Sequence, residues 1–197
     1  MTSKFAFATA LLLGAFIAHG GVISIGGNFL GYSSIGGIAQ GWSMPFSDTV
    51  SISAVLENGD GPIPGTGNVA YLTEGATPSL ADVVASLNFT IPGNFIGVFP
   101  LFSNVSLDAG SYWLIFSGAP PTSFASWAEV DPTTITLAPE AQYLGFAFSS
   151  DGNMTFGPAF NEGFSAYEMT VSDTPEPSSV LLCLTGLAGL AYLFFRR

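Results

Sequence analysis

The sequence predicts an all-β protein: a single jelly-roll-like β-sandwich between an N-terminal signal peptide and a C-terminal transmembrane helix. Three observations predict it. Apolar residues in the middle of the chain recur at every second position, Gly and Pro together contribute 37 of the 197 residues, and both ends carry apolar runs flanked by basic residues.

The first element is the leader. Lys4 supplies the positive charge, residues 5–17 (FAFATALLLGAFI) are an apolar run, and Ala18-His19-Gly20 places small residues at −3 and −1. Residues 1–20 therefore read as an export signal cleaved before Gly21. Residues 21–172 are the mature domain. The stretch 21–41, rich in Gly, Ser and Ile, reads as a flexible lead-in or an edge strand. Val50, Ile52, Ala54 and Leu56 alternate with Ser51, Ser53 and Val55, the pattern of a half-buried strand. Residues 80–87 (LADVVASL) follow Thr77-Pro78-Ser79, a capped helix start, yet Val83, Val84, Phe89 and Ile91 equally favour an extended segment. Residues 111–116 (SYWLIF) suit a core strand, 134–137 and 144–148 alternate, and 164–172 reads as the last strand. Turn residues at 58–62, 92–94, 119–121 and 151–153 separate these runs.

Charge placement excludes whole classes of function. The chain has fourteen acidic and three basic residues, and the basic ones are Lys4, Arg196 and Arg197. Twelve acids and no Lys, Arg or His fall within 21–172, giving that domain a side-chain charge of −12. It has no cationic side chain for phosphate, which excludes nucleic-acid binding and P-loop chemistry. His19 is the sole histidine and Cys183 the sole cysteine, so the domain builds no Ser-His-Asp triad, no Cys-His dyad and no disulfide. The reading is non-enzymatic, with no obligatory cofactor.

The C-terminal segment, 173–197, is the most specific. Pro175-Glu176-Pro177 precedes an apolar run at 180–195 and the terminal Arg196-Arg197. As a helix the run spans about 24 Å, slightly short of a ~30 Å hydrocarbon core. The terminal arginines stay in the cytoplasm and leave the domain outside. This three-part order resembles the PEP-CTERM sorting signal. The resemblance implies a bacterial protein exported through the inner membrane and held there by a transient anchor. It implies an exosortase, a membrane Cys transpeptidase, as processing partner, and the cell envelope or extracellular polysaccharide matrix as destination. Pro175, Glu176 and Pro177 are the recognition motif and Arg196 and Arg197 the stop. Residues 107–114, with Leu-x-Ala-Gly-x-Tyr-Trp-Leu, are similar to exported β-sandwich domains that precede such tails, which share no common activity.

Two ligand classes remain within the domain. Asn58-Gly59-Asp60 and Asp151-Gly152-Asn153 place oxygen ligands two apart on Gly-containing turns, as calcium prefers, although ordinary turn chemistry has the same signature. Aromatic residues with neighbouring acids suit a glycan platform. Trp127, beside Glu129, is expected to be the exposed member, with Trp42 and Tyr143 as partners, while Trp113 reads as core. The leading expectation is a structural or adhesive component of the envelope or matrix, and the alternative is a carbohydrate-binding module for extracellular polysaccharide. The Asn-x-Ser/Thr sequons at Asn88, Asn104 and Asn153 read as incidental.

Overall fold

The alternation around Val50 becomes β4, Asp48–Asn58, whose even-numbered residues Val50, Ile52, Ala54 and Leu56 are all buried. The computed structural model describes residues 22–59, 61–117, 125–131, 134–149, 155–160 and 166–173. All of these belong to one compact unit, Gly21–Asp173. The leader at 1–20, the tail from 174 onward and the calcium-candidate residues Asp60, Asp151 and Asn153 lie outside the described residues.

The described residues form strands and no helix. In chain order they are β1 (Ile23–Gly26), β2 (Phe29–Ser34), β3 (Ile38–Met44), β4, β5 (Gly65–Glu74), β6 (Val83–Ile91), β7 (Ile96–Leu107), β8 (Gly110–Ser117), β9 (Ala125–Val130), β10 (Thr134–Leu137), β11 (Gln142–Phe148), β12 (Ala166–Tyr167) and β13 (Met169–Asp173). One sheet runs β10-β1-β13-β4-β9-β12, with β2 on β9 and β7 on β4; the other runs β11-β3-β8-β5-β6. Every pairing between these strands is antiparallel.

The two inner faces supply one shared core, consistent with a β-sandwich. Aromatic rings meet across it. Phe116 of β8 sits edge-on to Trp127 of β9 with centroids 4.7 Å apart, and Phe146 of β11 sits edge-on to Tyr167 of β12 at 5.7 Å. Phe89 and Phe99, from β6 and β7, meet at 5.3 Å. Such pairs are worth about 0.5–1.5 kcal/mol each beyond the area they bury. A smaller cluster of Ala39, Trp113 and Ile115, with Leu80 and Phe156 against it, lies on the opposite face of the β3–β8 pair. There the Trp113 indole lies so close to Gly41 that a Cβ would sit 2.7 Å from the ring, and Trp113 Nε1 donates to Gly75 O at 3.0 Å.

Two sequence expectations resolve here. The stretch 21–41 contributes β1, which is bonded on both sides, the edge strand β2, and the start of the interior strand β3. It is therefore far more integral than a lead-in. At 80–87 the extended alternative holds: Ser79 Oγ accepts from Ala81 N at 3.1 Å, but β6 begins at Val83. The β-branched pair Val83-Val84 fits the pleated edge of a sheet better than a helical turn.

Candidate functional site

The three predicted glycan residues cluster inside the sandwich. Trp127 is fully buried, because β9 turns Ala125, Trp127 and Val130 into the core. This corrects the expectation that Trp127 is exposed. Its ring packs on Phe116 and on Tyr167, and its Nε1 donates to Glu168 O at 2.8 Å. Trp42 is fully buried as well, 6.1 Å from the Tyr112 ring, with no hydrogen-bond partner for its Nε1 among the described residues. Neither indole presents a face to a sugar. Tyr143 is half-buried, and its hydroxyl reaches Gln40 Oε1 at 3.5 Å. Burial raises its phenol well above the ordinary range, with Tyr167 adding to the effect.

Gln40 is the centre of this cluster. It projects inward from β3 between Ile38 and Trp42, fully buried. Its Nε2 donates to Tyr167 O at 2.6 Å, and Tyr167 N donates to its Oε1 at 2.7 Å. Beside it, Tyr167 and Glu129 are paired residues of β12 and β9, and Ser33 Oγ donates to Glu129 Oε2 at 2.9 Å. The Tyr167 phenol is raised chiefly by burial; a hydrogen bond with Ser33 lowers it and the Glu129 charge raises it. These groups hold the two sheets in register.

The outer face of the first sheet is different. Ser33 pairs with Trp127 and Leu56 pairs with Trp127, all facing inward, so the neighbours Tyr32 and Glu57 face outward. Tyr32 lies 4.9 Å from the ring of Phe29, which is 58% exposed. The Tyr32 phenol is raised by burial first, then by the charges of Glu57 and Glu168. A protonated phenol, an exposed aromatic ring and two carboxylates thus share one surface. That combination can stack on a sugar ring and accept hydrogen bonds from its hydroxyls. The sequence points to Trp127 because Ser126 and Glu129 lie beside it; the strand phase that turns Tyr32 outward rests on its pairing with Ala128 of β9.

Asn58, a candidate calcium ligand, is buried and acts as a donor. Its Nδ2 donates to Ile63 O at 2.7 Å, Pro92 O at 3.1 Å and Ile91 O at 3.3 Å. Its backbone N donates to Phe95 O at 2.9 Å, and Asn94 N donates to Gly61 O at 2.6 Å. Gly93 packs so tightly on the Pro62 backbone that no Cβ fits between them. Asn58 therefore ties the turn after β4 to the turn between β6 and β7. Among the described residues no group of three or more His, Cys, Asp or Glu side chains is arranged to hold a metal ion.

No family model, curated protein or solved structure matches the chain.

Proposed function

We propose that this chain is an exported structural or adhesive protein of the bacterial envelope or polysaccharide matrix, anchored briefly by residues 180–195 and processed by an exosortase. The observation that carries the reading is the order Pro175-Glu176-Pro177, apolar run, Arg196-Arg197, behind a domain without one basic side chain. Three of the described carboxylates suit a non-enzymatic role: half-buried Glu129 accepts from Ser33, and Glu57 and Glu168 flank a tyrosine. The jelly-roll reading belongs with this proposal. Its support is the crossing of connections, with β3 lying between β8 and β11 rather than beside β2 or β4.

Fractionation tests the sorting claim. Deleting residues 175–197 turns an envelope-associated protein into a freely released one, and an unchanged distribution contradicts the proposal. Loss of the exosortase leaves a full-length, membrane-bound species.

The carbohydrate-binding reading moves to exposed Phe29 and half-buried Tyr32, supported by their place beside Glu57 and Glu168. A glycan array with the wild type and Tyr32→Ala separates the two. Binding lost in the variant favours the module, and no binding by the wild type leaves the structural role.

A further inference from the structure

An antiparallel sheet that ends in an unpaired strand offers a row of free backbone groups to any other strand, and stable proteins blunt such edges. Among the described strands six pair on one side only, and five of these are blunted; β12, at one end of its sheet, is just two residues long. The free side of β11 is occupied, since Phe146 and Phe160 exchange hydrogen bonds of 3.1 and 2.8 Å and Ser149 bridges Phe156. At the far end of the other sheet, β10 is four residues long. In β7, Pro100 and two register breaks interrupt the edge, and Asn104 has φ 56° at one of them. In β2, Gly31 and a register break do the same.

β6 is the most open of the six, its two register breaks lying near its ends. Its nine residues, VVASLNFTI, contain no Pro, Gly or charge, and among the described strands it pairs with β5 alone. Between Ala85 and Phe89 the pairing to β5 is unbroken; the irregularities fall on either side. Val83 and Val84 are 41% and 42% exposed. No residue from 83 to 107 is ionisable.

We infer that β6 pairs antiparallel with β6 of a second copy of this chain, joining two five-stranded sheets across a two-fold axis. A strand edge is complementary to itself in that arrangement, so the contact is isologous and closes at a dimer. Charge argues for this occupant at this place. Two domains that each carry −12 repel wherever carboxylates face each other, and β6 lets them meet with none opposed. With the axis at Leu87, Ser86 lies opposite Asn88 of the second copy, and Asp82 falls opposite Pro92, beyond the paired strands. The pairing does not depend on where the protein is exported, so its failure and that of the export reading are separate outcomes.

Sedimentation of the full-length protein in mild detergent, over a range of protein and salt concentrations, tests this. The expected result is a monomer–dimer equilibrium that tightens as salt screens the carboxylates. Ser86→Glu/Asn88→Glu, both exposed in the monomer, sets like charges directly opposite and weakens the dimer at least tenfold. Ser24→Glu, which adds charge to an exposed position in the interior strand β1, leaves it unchanged. Hydrogen exchange on the wild type needs no variant: amides in 85–91 slow as the dimer forms. A monomer at every concentration, an open-ended oligomer, a dimer indifferent to the double substitution, or unaltered exchange in β6 each overturns the inference.

Discussion

The side-chain amide of Gln40 bonds both backbone polar groups of Tyr167, its N–H at 2.7 Å and its C=O at 2.6 Å, in place of a neighbouring strand. The need arises from the antiparallel ladder. Glu168 N donates to Ala128 O, so Tyr167, one residue away, turns its own N–H and C=O away from β9. A side chain from the opposite sheet meets them.

Removing that amide leaves two buried backbone groups unpaired. Gln40→Leu is expected to destabilise the fold by about 2–6 kcal/mol, from about 1–3 kcal/mol for each of the two backbone groups left unpaired. Gln40→Glu keeps the acceptor and loses the donor, so it too is destabilising. Urea unfolding of the three proteins provides the check; a wild-type midpoint for Gln40→Leu contradicts the bridge.

The two buried tryptophans differ in one bond. Trp127 Nε1 donates to Glu168 O, whereas Trp42 Nε1 has no partner among the described residues. Trp127→Phe loses a hydrogen bond and leaves Glu168 O with Val55 N as its donor, while Trp42→Phe loses no bond among the described residues. Trp127→Phe is therefore the more destabilising by about 1 kcal/mol, measured by the shift in unfolding midpoint. Trp127→Ala costs about 3–5 kcal/mol.

Asn58→Asp replaces a three-way donor with an acid among the carbonyls of Ile63, Ile91 and Pro92. An ionised carboxylate there is repelled, so burial raises its folded pKa above the unfolded one. The destabilisation is greatest at neutral pH and shrinks as the solution is acidified through the folded pKa. Thermal unfolding of the variant and the wild type between pH 4 and 8 reads this; a constant difference contradicts it.

Alkaline pH acts through tyrosine. Burial raises the phenols of Tyr143, Tyr167, Tyr112 and Tyr32 above their ordinary value of 10.0. Above pH 10 the unfolded chain releases these protons while the folded chain retains them, so stability is intact below that pH and falls above it. The slope approaches about 1.4 kcal/mol per pH unit for Tyr143, the phenol raised most, and is smaller for the more solvent-screened Tyr167, Tyr112 and Tyr32. No lysine lies in 21–172 to titrate in the same window. Ultraviolet titration of phenolate alongside unfolding is expected to show a late, cooperative step.

The sequence is legible where a strand is amphipathic and silent about which strand lies beside it. Val50, Ile52, Ala54 and Leu56 announce β4 through period two, and 111–116 announces β8. β3 carries the same period through Ile38, Gln40, Trp42 and Met44, and the polar residue at an inward position was the available sign of the Gln40 bridge. Its partner could not be read, because Tyr167 is 127 residues away. The burial of Trp127 is illegible for a related reason. Ser126 and Glu129 beside it suggest solvent, yet Glu129 points inward to Ser33 and Tyr167.

The central claim is that this domain is delivered outside the cell and released from its tail. The intact mass of the protein recovered from the envelope tests it most directly. A chain running from Gly21 to the neighbourhood of Pro175-Glu176-Pro177 is the predicted result. A mass equal to all 197 residues contradicts it.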